Sequence, residues 1–337
     1  MLHNLALLLE AKGGFAEAEL LYRQAAQAAP DDPRRWEALA NHLREGREFE
    51  AAEVAYRQAL ALGPEAVTAA TSLACVLLAQ GRREEGWAAF DQRRARRKLL
   101  AGGLSFPEWR GEPLAGKRLL VIREQGFGDQ IMMARYLTEL DAAAVTYAGP
   151  QALARLFAPL PVTYLTVSAE GFEVPPHDYW TLPLSLPRWC DGEIPPPPYL
   201  SGRGNGPRGG VGVVWRGEPT NANNSFRSLP ESIARDLLAL PGAVSLDPAD
   251  TGAEDFQATA DLIAGLDLVI TVDTAVAHLA GAMGAPVWMM LAARALDWQW
   301  PRVGASLWYP SARLFTQPRP GDWASVFADV RAGLARP

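Results

Sequence analysis

The strongest constraint in this chain is a period of 34 residues. Phe15, Ala18, Tyr22, Arg23, Gln24, Ala25 and Pro30 recur as Phe49, Ala52, Tyr56, Arg57, Gln58, Ala59 and Pro64. A weaker third copy carries Leu39, Ala40 and Leu43 to Leu73, Ala74 and Leu77, and Tyr56 to Phe90; the first copy supplies Leu5, Ala6 and Leu9. Small residues at Ala18, Ala52 and Gly86 stand where the two helices of a pair must approach closely. Pro30 and Pro64 punctuate the ends of the second helices. Self-similarity at this spacing predicts stacked helix pairs that bury their apolar faces against their neighbours.

The repeat resembles the tetratricopeptide motif, in three copies over about residues 1–98. The first copy starts at Met1, which predicts either an array cut short or an exposed first helix. The array can act as a scaffold only, or its groove can hold a protein or peptide partner. The basic helix Arg93–Lys98 reads as a solvated face. A glycine-bearing linker follows at Ala101–Pro107.

Composition narrows the rest. At 337 residues the chain has room for two or three domains, and 49% apolar with 21% charged residues is a globular balance. A net charge of −6 argues against a general nucleic-acid binder, whose phosphate contacts need a basic surplus. Two cysteines, Cys75 and Cys190, make neither a disulfide framework nor a metal cage. Met1–Leu9 lacks the basic flank and cleavage site of a signal peptide, so a cytoplasmic location is expected. Thr274–Ala293 carries no formal charge but contains His278, Gly281, Gly284 and Pro286; it reads as a buried helix followed by a buried strand, not a membrane span.

From Lys117 the pattern changes to short apolar runs alternating with helical spacing. Arg118–Ile122, Val145–Tyr147 and Val162–Val167 read as strands. A helix carrying Ile131, Met132, Tyr136, Leu137 and Leu140 follows the first, and Gln151–Phe157 reads as the next helix. A proline run at Pro195–Pro198 with Gly202–Gly210 reads as a linker. A second series has strands at Val211–Trp215, Ala243–Leu246, Leu268–Val272 and Pro286–Leu291. Its helices are Pro230–Leu240, with Ser228 as N-cap, Asp255–Leu266 and Ala275–Met283. This alternation predicts parallel, doubly wound sheets. The fold class is therefore α plus α/β: helical repeats over 1–100, then Rossmann-like α/β units over 104–205 and 206–337, with a cleft between the two.

Two motifs could carry chemistry. Gly126-Phe127-Gly128-Asp129 closes a strand and opens a helix, where backbone N–H groups and the helix dipole face outward. It lacks the third glycine of a dinucleotide fingerprint and is not a phosphate loop. Asp129 can either satisfy backbone donors at the helix start or act as a general base. Asp273-Thr274 opens a second apolar helix, and Thr274 and His278 share one face of it. That helix can be a capped core element with a satisfied histidine, or its first turn can take a phosphate while His278 donates to a phosphate or sugar oxygen. Arg227 can be a solvated loop residue or can neutralise a departing diphosphate. No DxD or HExxH motif and no paired-cysteine signature appears, so no metal is expected.

Taken together, these residues resemble tetratricopeptide-repeat proteins that carry a glycosyltransferase of the GT-B fold. The nearest likeness is to the heptosyltransferase-like family 9, with a more distant one to O-GlcNAc transferase. The resemblance is carried by Trp109–Leu114, Glu124–Asp129, Arg135-Tyr136, Pro183–Pro187 and Pro198-Tyr199-Leu200. In the second half it is carried by Val211–Trp215, Arg227-Ser228, Asp273–Ala280, Asp297-Trp298, Trp308-Tyr309-Pro310, Arg313–Phe315 and Gly321–Trp323. It implies that Asp129, in the Gly126/Gly128 loop, deprotonates the acceptor hydroxyl. It also implies that Asp273, Thr274, His278, Arg227 and Trp215 hold a nucleotide-sugar donor. Arg216 stands where a small residue is usual in the family, and Asp247 stands where a glutamine is expected. The implied activity is inverting glycosyl transfer with no cofactor beyond the nucleotide-sugar substrate. The alternative is an inactive repeat adaptor with a degenerate GT-B domain.

Overall fold

The computed structural model describes residues 1–168, 174–190, 193–204, 208–221, 223–301 and 304–335. It divides into two compact units: residues 1–103 with 293–301, and residues 104–292 with the chain beyond 301. The 205–206 boundary expected from sequence lies outside the described residues.

The repeat unit consists of α1 (Leu2–Ala11), α2 (Phe15–Ala28), α3 (Pro33–Glu45), α4 (Phe49–Leu62), α5 (Val67–Ala79), α6 (Arg83–Phe90) and α7 (Arg94–Gly102). The N-cap carboxylate of Asp32 accepts from Arg34 N at 3.1 Å, and Pro33 takes the first helical position, where no donor is lost. Ala18, Ala52, Tyr22 and Tyr56 are buried in one apolar core, as the 34-residue period requires. The period also explains an exposed patch. Leu5 is 47% and Leu8 61% exposed, whereas their repeat equivalents Leu39 and His42 are 4% and 3% exposed.

Residues 293–301 complete this unit. Arg294 donates to His42 O at 3.0 Å and stacks over Phe15 at 4.3 Å, and Ala295 N donates to Glu45 O at 3.1 Å. A cation thus meets the carbonyl end of α3, where the helix dipole favours it. Burial opposes ionisation of Glu10, but His42 at 2.6 Å, the Tyr22 hydroxyl and Arg294 together hold its carboxyl below the usual range.

The α/β unit holds two all-parallel sheets. The first is built by β1 (Arg118–Ile122), α8 (Phe127–Met133), β2 (Ala144–Gly149), α9 (Gln151–Phe157), β3 (Thr163–Thr166), β4 (Tyr179–Thr181) and α10 (Leu186–Trp189). Its strand order is β3-β2-β1-β4, with Leu119 opposite Val145 on one side and Tyr179 on the other. The second contains β5 (Val211–Val214), α11 (Asn224–Arg227), α12 (Glu231–Leu238), β6 (Ala243–Ser245), α13 (Pro248–Thr251) and α14 (Phe256–Ile263). It continues with β7 (Leu268–Val272), α15 (Ala275–Ala282), β8 (Val287–Leu291), β9 (Ala312–Thr316) and α16 (Trp323–Leu334). Its order is β6-β5-β7-β8-β9. The apolar runs form strands because both faces of a parallel sheet are covered. Val213, Ile270 and Met289 are wholly buried.

Two details differ from the sequence reading. The helix after β1 ends at Met133 and tightens into a 3-10 turn over Ala134–Glu139. Ser228 does not cap α12. Pro230 is its N-cap, and the Ser228 hydroxyl instead donates to Asn224 Oδ1 at 2.9 Å. The Thr274–Ala293 stretch is α15 followed by β8, as expected from sequence, and among the described residues no helix is long and apolar enough to cross a membrane.

Gly86 tests the repeat packing. A β-carbon there would stand 2.7 Å from Leu78 Cγ and 3.1 Å from Leu78 N. In an open helix Gly→Ala stabilises by about 1 kcal/mol. Here the clash reverses the sign, and Gly86→Ala should destabilise the protein by about 1–3 kcal/mol, measured as a lower urea midpoint.

Candidate active site

Ligand crevices in open parallel sheets lie beyond the strand C-termini where the strand order reverses. In the first sheet that point falls between β1 and β4; in the second it falls between β5 and β7. The candidate residues follow these four strands. Glu124–Asp129 follow β1, and Pro183-Leu184-Ser185 follow β4. Trp215 follows β5, and Asp273-Thr274 follow β7. Glu124 is buried, and its Oε1 accepts from Leu184 N at 3.0 Å, which joins the loops after β1 and β4.

The structure brings the two glycine and histidine motifs into contact. α8 and α15 pack against each other at their N-terminal ends. A β-carbon on Gly128 would stand 2.7 Å from His278 Cδ2 and 3.6 Å from Ala275 Cα. Only glycine permits this approach, although Gly128 is not among the residues with positive φ. Asp129, half-buried, serves the helix start: its Oδ2 accepts from Gly126 N at 3.1 Å. Thr274 is the N-cap residue of α15, but its side chain makes no cap bond; its Oγ1 lies 3.2 Å from Thr271 Oγ1. Asp273 and Thr274 are half-buried.

His278 is 4% exposed, and its Nδ1 lies 3.0 Å from the Tyr309 hydroxyl. Burial lowers its pKa to about 3, helped by the positive charges of Arg135 and Arg227. The imidazole is therefore neutral throughout the physiological range.

Arg227 ends α11 and packs over Gly217. Its Nε is buried without a hydrogen-bond partner among the described residues. The indole Nε1 of buried Trp215 is likewise unpartnered. Buried donors without partners are rare in proteins and mark places where a ligand or water completes the set. Arg216 and Asp247, the two departures noted in sequence, are partners: their side chains bond at 2.6 and 2.9 Å. Among the described residues no three His, Cys, Asp or Glu side chains gather as a metal site requires. A pocket of about 380 Å³ in the α/β unit is lined by Trp109, Trp189 and Glu139 and includes neither the glycine loop nor the start of α15.

Sequence reasoning missed Arg135, Tyr199 and Tyr309 as members of this region. They were visible only as parts of family-like stretches, with no local signal of where their side chains go.

The model of glycosyltransferase family 9 (heptosyltransferase) matches residues 251–290, which hold α14, β7, the whole of α15 and most of β8. The α/β unit is similar to glycosyltransferase family 9. Protein FlbA of Caulobacter vibrioides is 29% identical, over 77% of this chain and 54% of its own length. The chain therefore spans about half the length of that curated relative. Among solved structures, the iron-containing dodecameric glycosyltransferase TibC of enterotoxigenic E. coli H10407 has a TM-score of 0.41 at 16% identity, covering 53% of this chain and 59% of TibC. The family 9 glycosyl transferase of Veillonella parvula has a TM-score of 0.41 at 9% identity, covering 66% of this chain and 91% of that one.

Burial of neutral His278 makes stability depend on pH. In the unfolded chain its pKa returns to the ordinary histidine value of 6.5, so below that pH the unfolded state binds the extra proton. The contribution is intact above pH 6.5 and is lost progressively as pH falls toward 3. His278→Gln should flatten the urea midpoint across that window relative to wild type. An equal slope in both proteins would contradict the assignment.

Proposed function

We propose that this chain is a metal-independent, inverting glycosyltransferase that moves a sugar from a nucleotide-sugar to an acceptor hydroxyl. The observation that carries the reading is the meeting of two helix starts, α8 with Asp129 and α15 with Thr274, at the switch points of two parallel sheets. Unpaired N–H groups in the first turn of α15 favour an anion there, and a nucleoside diphosphate is such an anion.

In this mechanism Asp129 accepts the proton of the acceptor hydroxyl. The acceptor oxygen forms a bond to the anomeric carbon as the bond from that carbon to the diphosphate oxygen breaks, on the opposite face. The leaving nucleoside diphosphate takes the electron pair. Its charge is met by the α15 N-terminus, with Asp273 and Thr274 shaping the turn, and by Arg227, whose unpartnered Nε is a ready donor. Gly126 and Gly128 let the loop backbone approach the donor closely. Trp215 offers its free indole N–H at the β5 end of the crevice. Neutral His278 supports the loop from beneath. The repeats would deliver the acceptor, a protein bound in their groove.

A second reading has one observation behind it. The Arg216–Asp247 ion pair joins the two residues that depart from the family pattern, near where the resemblance puts the nucleotide base, which suits a degenerate binding module. Release of nucleoside diphosphate from a panel of nucleotide-sugars, with candidate acceptor proteins, separates the two. Asp129→Asn should reduce turnover by roughly 100-fold or more, the scale of general-base catalysis, while donor binding by thermal shift persists. Turnover unchanged in Asp129→Asn would remove Asp129 from the mechanism. Absence of both turnover and donor binding across the panel would favour the adaptor.

A further inference from the structure

Three of the family-like stretches, Arg135-Tyr136, Pro198-Tyr199-Leu200 and Trp308-Tyr309-Pro310, converge on one buried cluster centred on Arg135. This side chain is wholly inaccessible, and each of its five N–H bonds is used. Nε donates to Met132 O at 3.0 Å. Nη1 donates to Pro195 O and Trp308 O, both at 3.0 Å. Nη2 donates to Trp308 O at 3.0 Å and to the Tyr199 hydroxyl at 3.1 Å. A guanidinium has five donors in a rigid plane, so this set is saturated. None of these acceptors is a carboxylate; the charge faces carbonyl dipoles and the rings of Tyr199, Tyr309 and Trp308 at 4.8, 5.1 and 5.3 Å.

The anchors come from three distant stretches. Met132 belongs to α8, Pro195 and Tyr199 to the segment leading to the second sheet, and Trp308-Tyr309 to the approach to β9. The cluster continues directly into the candidate site. The Tyr309 hydroxyl holds His278 Nδ1 at 3.0 Å, and the Tyr309 ring covers Gly281, where a β-carbon would collide with it. On its other edge the imidazole meets Gly128.

We propose that Arg135 is a positioning residue. By fixing Trp308-Tyr309 it seats the His278 imidazole against Gly128, and so sets the separation between the glycine loop and the start of α15. Its consequence for donor affinity rests on the reading of this crevice as a nucleotide-sugar site; the positioning itself does not. Lysine cannot replace the arginine, because an ammonium has three donors and no plane to span carbonyls on three segments.

The test uses the full chain with ¹⁵N-labelled histidine, free of ligand, with the His278 signal assigned by its loss in His278→Gln. Tyr309→Phe keeps the ring packing and removes only the hydroxyl that holds Nδ1. Arg135→Lys keeps the charge and removes the fork. Both should move the His278 nitrogen shifts, and Tyr309→Phe should do so while unfolding as cooperatively as wild type. His278 shifts identical to wild type in folded Tyr309→Phe would overturn the proposal, and it needs no result from Arg135→Lys to do so. Changed shifts in Tyr309→Phe, with wild-type shifts in folded Arg135→Lys, would equally overturn the role of Arg135. Nucleotide-sugar affinity is then measured in the same variants and should weaken roughly tenfold, the scale of one lost hydrogen bond. Moved shifts with unchanged donor affinity would leave the positioning standing and count against the donor-site reading alone.

Discussion

Gly128 and His278 touch where a β-carbon would stand 2.7 Å from the imidazole, so the starts of α8 and α15 approach to the limit the backbone allows. The two sheets reverse strand order at the points that aim β1 and β7 toward it. Arg135 gathers the segments around it, and Tyr309 holds the imidazole in place. Burying a cation without a carboxylate is costly unless all its donors are satisfied. The five bonds to Arg135 meet that condition, and a cluster with so little slack has one geometry.

The electrostatics of the site follow from burial. His278 is buried and feels the positive charges of Arg135 and Arg227, so it stays neutral and cannot act as a proton-loaded acid near pH 7. Asp129 is the carboxylate at the opening of α8, and one of its oxygens already serves the Gly126 N–H. The two readings of Asp129 made from sequence are therefore compatible: a carboxylate oriented by a backbone donor is also one held ready for a hydroxyl. The same economy appears in the repeat unit, where Arg294 meets both the α3 carbonyls and Glu10.

Much of the fold was legible because its signals are local. The uninterrupted apolar runs at Arg118–Ile122 and Leu268–Val272 require only neighbouring residues to read, and the 34-residue period only a comparison of residues one repeat apart. β9 escaped as an element because it is an edge strand of mixed exposure with no alternation, its exposed Arg313 lying over Trp288. The N-cap at Ser228 failed because Asn224 competes for its hydroxyl. Arg135 was unreadable for a different reason. It falls within an apolar helical pattern where an arginine is ordinarily solvated, and its acceptors lie up to 173 residues away. Arg216 and Asp247 looked like two separate departures, and only the structure shows that their side chains are partners.

Hydrogen exchange of the full chain, with and without nucleoside diphosphates of each of the four common bases, tests the central claim most directly. If the two helix starts form a diphosphate site, one of these ligands will slow exchange at the amides of residues 126–130 and 274–278 together, while the repeat helices are unaffected. Protection confined to one of the two segments, or to neither with any base, would contradict a site built by their convergence.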